Sequence, residues 1–245
     1  MGGLVAPLSI TRAGVAGTVL ALAVALVCAR LGIWQLDRLE QRKQSNAAVA
    51  ERLAGATVTL WDVPQDTTGL LFRTVQIEGR YDVARTIVLR GRAHEGMPGV
   101  HVLTPLRLPD GSAVLVNRGW VPSPDAATVD LAALPTPASG QVTGIALPFH
   151  ADGVAVADEN SFRVTWTILD LAALRRQFPY ALASFYVQAL PADTGEATFP
   201  RPLPAPELDN GPHLGYAVQW FAFATIALVG WFTLVLRRSA PRPRP

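Results

Sequence analysis

Residues 212–224 read PHLGYAVQWFAFA, and the run they introduce decides the architecture. From Leu214 to Leu236 the only ionisable side chain is that of Tyr216, with Gln219 and Thr225 among the most polar. That run exceeds the ~20 apolar residues a helix needs to cross a bilayer. A matching run near the other end, Ala13 to Trp34, is broken only by Arg30. A long arginine stem can lie in hydrocarbon while its head reaches the headgroups, so Arg30 does not disqualify it.

The first run is longer than the roughly 7 to 15 apolar residues of a secretory signal. It also lacks the small residue that a lipoprotein cleavage site wants ahead of Cys28, since Ala25-Leu26-Val27 precede it. An uncleaved anchor is therefore expected. The chain divides into an N-terminus (1–12), a first membrane helix (13–34), a large polar middle domain (35–211), a second membrane helix (212–236) and an Arg/Pro tail (237–245).

Half the residues are hydrophobic, and much of the excess sits in the two end runs. The stretch Asp37 to Asp209 carries 15 Lys and Arg against all 19 Asp and Glu, a balance of −4. The basic character thus comes from the ends, which argues against a nucleic-acid surface. The single cysteine, Cys28, excludes an intramolecular disulfide, a paired-thiol metal site and covalent heme attachment through Cys-x-x-Cys-His.

Small residues recur at every fourth position of the first helix, at Ala13, Gly17, Ala21, Ala25 and Ala29. Such a strip lets a second helix approach closely, and the natural partner is the other membrane helix. Trp34 and Gln35 close the first run, while Tyr216, Gln219 and Trp220 open the second. Both ends join the same domain and so lie on one side of the membrane, where the aromatics serve as interfacial anchors. Gln35 and Gln219 are placed to hydrogen-bond across the pair. Orientation is a tie on charge: Arg237, Arg238, Arg242 and Arg244 favour an inside tail, but Arg38, Arg42 and Lys43 favour an inside neck.

Period-two alternation in the middle domain predicts strands over 71–81, 86–92, 100–108, 113–120, 141–147, 162–168 and 184–190. Leu71, Val75, Ile77 and Tyr81 share one face; so do Phe162, Val164, Trp166 and Ile168. Pro109-Asp110-Gly111 between two apolar runs predicts a hairpin turn. A short helix is expected over Asp170 to Phe178, with Leu171, Leu174 and Phe178 at helical spacing and Arg175 and Arg176 late in the segment. Pro-rich stretches over 121–137, including an accessible Ser123, and over 199–212 read as surface connections. The fold class is an α+β membrane protein: two terminal transmembrane helices bracketing a mainly antiparallel β domain with one or two short helices.

No phosphate-binding glycine loop, His-x-x-x-His pair or nucleophile elbow occurs. His94, His101, His150 and His213 are scattered, and Asp158-Glu159 reads as a solvated turn. An enzyme is not expected.

Four segments carry a resemblance: Leu31-Gly-Ile-Trp-Gln-Leu-Asp-Arg38, Gly79-Arg-Tyr-Asp82, Leu115-Val-Asn-Arg-Gly-Trp-Val-Pro122 and His213-Leu-Gly-Tyr-Ala-Val-Gln-Trp220. In order and spacing they resemble the motifs of the surfeit locus protein 1 family. The resemblance implies an assembly factor for heme-copper cytochrome c oxidase, anchored in a membrane such as the bacterial plasma membrane. It places the middle domain on the outer face and both termini in the cytoplasm. It also implies transient help with heme a. The partner would be the oxidase catalytic subunit or another oxidase assembly factor, and the histidine of the last motif would be the iron ligand. That position is His213, with Tyr216 and Trp220 beside it on a face continued by Phe223. Trp34, Gln35, Arg38 and Gln219 would meet the partner or the membrane interface, and no other metal is expected. One departure is Asn210-Gly211-Pro212, where many members carry asparagines immediately before the histidine. Two readings of His213 stand side by side: a heme ligand at the membrane rim, or the polar cap of a helix in a scaffold that binds an oxidase subunit without heme.

Overall fold

The computed structural model describes residues 12–64, 66–135, 140–149, 162–191 and 199–239. His150, Asp158, Glu159, Arg242 and Arg244 lie outside the described residues, as do the side chains of Ala13 and Arg238. The chain forms two compact units, one made of its two ends, up to Ala48 and from Leu208, and the other of Val49–Glu207.

In the first unit, helix α1 (Arg12–Ala54, 43 residues) contributes its part up to Ala48, and a second helix (His213–Ser239, 27 residues) is α3. Both are long and apolar enough to cross a membrane, with mean hydropathies of 2.1 and 1.7 in their most apolar stretches. Their apolar side chains mostly face outward: Leu26 is 71% exposed and Ile226 65%. The first helix does not close at Trp34 and Gln35. No glycine or proline occurs between Ile33 and Ala54, and the segment is rich in Ala, Leu, Glu, Gln and Arg, so the helix persists after its apolar pattern has ended. It stops at Gly55, whose N–H bonds the carbonyl of Arg52 at 3.2 Å.

The inward residues of α1 are Gly14, Gly17, Ala21, Ala25, Cys28, Gly32 and Gln35. Their intervals mix three and four, averaging 3.5, the repeat that keeps one seam facing a partner. This corrects the strict every-fourth strip. A step of four turns ~40° past a full rotation, so the strip drifts off the seam. Cys28 is buried, and Ala29 lies at the edge. On α3 the matching seam is His213, Ala217, Trp220, Ala224, Ala227, Trp231 and Val235. Ala25, Cys28 and Ala224 form its buried centre, with Trp220 packed against them.

The second unit is built on eight strands: β1 (Val58–Leu60), β2 (Thr74–Tyr81), β3 (Ile87–His94), β4 (Met97–Arg107), β5 (Ala113–Pro122), β6 (Gly140–Pro148), β7 (Thr165–Trp166) and β8 (Leu182–Ala189). They follow the order β1-β2-β6-β8-β5-β4-β3-β7. A further pairing of Arg80–Tyr81 with Arg107–Leu106 joins β2 to β4 and closes β2, β6, β8, β5 and β4 into a small barrel. Five pairings are antiparallel and three (β1–β2, β3–β7, β5–β8) parallel. The long strand β4 makes closure feasible: it pairs with β3 up to Leu103 and with β2 at its far end.

Strand β5 is buried on both faces. Val114 and Val116 join Val75, Ile77, Phe185 and Val187 in one core, while Ala113 and Leu115 join Leu103, Trp166 and Leu174 in another. Helix α2 (Leu171–Gln177) covers the second core. Asp170 caps it by accepting the N–H of Ala173 at 2.9 Å, and Leu174 and Phe178 are buried, as their spacing predicts.

The hairpin at Pro109-Asp110-Gly111 forms, with Gly111 at φ +85°. The expected 162–168 strand does not. Only Thr165–Trp166 pair, at the sheet edge, and Val164 and Ile168 are exposed while Trp166 and Leu169 are buried. Ser123 is also not accessible: it is 2% exposed and donates its hydroxyl to Asp125 at 2.6 Å. Strand β1, too short to carry an alternation, went unpredicted.

Candidate functional site at the start of the second apolar helix

The chain enters α3 through Asp209-Asn210-Gly211-Pro212. The Asp209 carboxylate accepts the N–H of Gly211 at 3.0 Å, and Gly211 takes φ +71°, a left-handed conformation that favours glycine. Pro212 then supplies the carbonyl for the first helical bond, from the N–H of Tyr216 at 3.1 Å.

One face of α1 holds this entry in place. Arg42 Nε donates to the Asp209 carbonyl at 3.1 Å. Asn46 Nδ2 donates to the same carbonyl at 3.1 Å and to Asn210 Oδ1 at 3.1 Å. Gln35 Oε1 lies 2.9 Å from His213 Nδ1. Positions 35, 42 and 46 are seven and four residues apart, so they lie along one side of the helix. Just before them, Gly32 makes room for Phe221, whose ring would lie 2.8 Å from a Cβ at that position. Two segments far apart in sequence, Leu31–Arg38 and His213–Trp220, therefore meet through the Gln35–His213 bond, with Phe221, the next residue of α3, seated on Gly32.

The expected Gln35–Gln219 bond is replaced by Gln35–His213, because Gln219 points to the exposed side of α3. His213 and Trp220 are half-buried and Ala217 is 1% exposed, but Tyr216 (48%) and Phe223 (52%) face outward. The single aromatic face expected from offsets of three, seven and ten is thus split: His213 and Trp220 lie toward α1, and Tyr216 lies on the outer flank. Trp220 and Phe223 still meet edge to face at 5.9 Å. Trp34 is exposed, with the Arg38 guanidinium 5.6 Å from its ring centroid, and Arg38 also bonds Gln41 at 3.1 Å. Arg42 and Asn46 were missed, although their helical spacing from Gln35 is the signal that could have found them.

The two middle motifs shape the β domain. Gly79 sits where barrel strands cross, since a Cβ there would come 2.5 Å from the Arg107 carbonyl. Asp82 accepts the Tyr180 hydroxyl at 3.1 Å, and Arg107 covers that ring at 4.6 Å. In the other motif, β5 bulges at Arg118, where Val102 pairs with Gly119 and Leu103 with Asn117. Asn117 accepts the N–H of Gly119 at 3.1 Å and bonds His101 Nδ1 at 3.3 Å. Arg118 donates to the Pro135 carbonyl at 2.7 Å. Trp120 is buried, exchanges backbone bonds with Arg201 at 2.8 Å and packs against His94 and Phe199. Its indole N–H is buried with no acceptor among the described residues, as is Arg92 Nε. Burial, with Arg92 and His94 nearby, pushes the His101 imidazole down to about 4.

Among the described residues no three His, Cys, Asp or Glu side chains gather as a metal site. The family comparison is decisive: the model described as "SURF1 family" matches residues 22–225, which takes in all four motifs. The chain belongs to the SURF1 family. It is similar to a SURF1-like protein of Monosiga brevicollis, 28% identical over 91% of each chain. A SURF1-like protein of Rickettsia felis is 26% identical over 81% of this chain and 88% of its own. The human surfeit locus protein 1 is 24% identical over 84% of this chain and 73% of its own. The SURF1 family match thus runs through the helix pair and the barrel alike.

Proposed function

We propose that this chain is an assembly factor for heme-copper cytochrome c oxidase that assists heme a insertion or stabilisation, with His213 as the iron ligand. The observation that carries this reading is the placement of His213: its Nδ1 is engaged by Gln35, its other ring nitrogen has no partner among the described residues, and it opens a helix long and apolar enough to span a membrane. The group fits these residues chemically, since a neutral imidazole ligates iron and apolar helix flanks suit a macrocycle. Heme a, when bound, supplies the iron that accepts the imidazole lone pair. The chain's own part is to hold His213 at a fixed angle, to offer Trp220 on the α1 side and Tyr216 on the outer flank as apolar walls, and to keep the site where propionates can reach water.

The transmembrane assignment has physical support. Two helices covered by exposed Leu, Val, Ile and Phe would be a liability in water, whereas lipid accommodates them. In this reading residues 13–34 and 212–236 lie in the membrane, a bacterial plasma membrane, with the termini cytoplasmic and the β domain outside. Trp34, Arg38 and Gln219, all exposed, face the headgroups or the oxidase catalytic subunit. The role is that of a chaperone for a cofactor, not of an enzyme.

The competing scaffold reading also has an observation behind it, because a Gln35–His213 bond ties the two helices together whether or not a cofactor is present. The readings separate on oxidase purified from cells lacking this protein. The heme-handling reading expects reduced heme a content that is restored by the wild-type chain and not by His213→Ala. Normal heme content in the deletion strain overturns the assembly role, and full rescue by His213→Ala favours the scaffold.

A further inference from the structure

We propose that Gln35 is a positioning residue that fixes His213 in its Nδ1–H tautomer and so presents the Nε2 lone pair outward; the use of that lone pair for iron rests on the function proposed above. A neutral imidazole carries one proton on two nitrogens, and hydrogen bonding selects which nitrogen keeps it. The atom 2.9 Å from His213 Nδ1 is the carbonyl oxygen of Gln35, which accepts and cannot donate. With that oxygen as acceptor, the neutral ring keeps its proton on Nδ1 and leaves the Nε2 lone pair free.

Three features make this a held geometry. Gln35 sits three residues after Gly32, where the ring of Phe221 presses against the α1 backbone, so the helices are in close contact one turn from the pair. Arg42 and Asn46 grip Asp209 and Asn210, fixing the chain that leads into His213 from the other side. The Cδ2–Nε2 edge of His213 lies over Gly211, at 3.4 and 3.5 Å from where a Cβ would stand. A larger residue there would cover that edge. Glycine leaves it open and also meets the φ of +71°.

The choice of glutamine has a consequence of its own. Metal-ligating histidines commonly donate their second N–H to a carboxylate or carbonyl, which raises the ligand's basicity. A neutral amide oxygen draws less on the proton than a carboxylate does, giving a weaker ligand. That suits a protein whose task ends in release.

The test uses the full chain in detergent, free of heme, with 15N-labelled histidine. Long-range 1H–15N correlations identify the tautomer of His213, assigned by comparison with His213→Ala. The expected spectrum shows a protonated Nδ1 and an unprotonated Nε2, with the preference lost in Gln35→Leu and kept in Gln35→Glu, which retains an acceptor. An Nε2–H tautomer in the wild type overturns the proposal even if Gln35→Leu fails to fold. An unchanged tautomer in a folded Gln35→Leu does the same. Hemin titration of the same samples, read in the Soret band, is expected to show about 10–100-fold weaker binding in Gln35→Leu and tighter binding in Gln35→Glu. Wild-type protein that shows the Nδ1–H tautomer but binds no hemin would overturn the heme reading while supporting the role of Gln35.

Discussion

The indole of Trp231 on α3 occupies the space that Gly17 on α1 leaves by having no side chain, and its N–H donates to the neighbouring Thr18 hydroxyl at 3.0 Å. Contact between the two terminal helices is therefore specific at this end as well as at Gln35 and His213. Without a hydrophobic force between helices in lipid, close packing and such polar contacts hold the pair.

Gly17→Leu is accordingly expected to separate or distort the helices, at about 1–3 kcal/mol, the usual cost of overpacking. The control is Val15→Leu, since Val15 is 49% exposed on the outer side. Thermal unfolding of both variants in detergent checks this. Equal midpoints would show that the Gly17–Trp231 contact carries no stability.

At Gly119 two constraints coincide, a φ of +133° and an Arg201 carbonyl packed where a Cβ would be. Gly119→Ala should destabilise the β domain by more than about 1 kcal/mol, because alanine resists that backbone conformation and meets the Arg201 carbonyl. The measurement is a denaturant melt followed by tryptophan fluorescence, to which buried Trp120 and Trp166 contribute. A midpoint equal to that of the wild type would contradict the assigned geometry.

His101 gives a pH dependence with a definite sign. Its imidazole is lowered from 6.5 to about 4 by burial, with Arg92 and His94 adding repulsion. Between those values the unfolded chain takes up a proton that the folded chain refuses. Stability from this group is thus fully present above pH 6.5 and is lost as pH falls toward 4. Replacing His101 by Gln should flatten the fall in unfolding midpoint over that window. An unaltered slope would assign the pH dependence to other groups.

Orientation is open to direct labelling. Ala172 on α2 is exposed, so Ala172→Cys in a Cys28→Ser background offers one accessible thiol. An impermeant maleimide should label it in intact cells if the β domain is outside. Labelling only after lysis would reverse the topology.

Local signals in the sequence found much of this fold. Pro109-Asp110-Gly111 gave its hairpin, and Asp170 with Leu174 and Phe178 gave α2, because turn chemistry and helical spacing act within a few residues. What failed depends on partners distant in the chain. Helix α1 was cut short at Trp34 because its apolar run ends there, although Ala, Glu and Leu sustain the helix to Ala54. The Phe162–Ile168 alternation misled because only two of its residues find a neighbouring strand. At the candidate site His213 and Gln35 were both singled out, yet Gln35 was paired with Gln219. Which glutamine meets which side chain is set by the rotation of each helix, and a list of candidate residues does not encode that rotation. Ser123 was assigned to the surface because it lies in the Pro-rich stretch 121–137, whereas it is buried, with its hydroxyl bonded to Asp125.

The heme role proposed for His213 is checked most directly by the absorption spectrum of the detergent-purified chain expressed with and without heme a synthesis. Wild-type protein should carry a heme a band that appears only when heme a is made and disappears in His213→Ala. No band in wild type under either condition, or an equal band in His213→Ala, would contradict it.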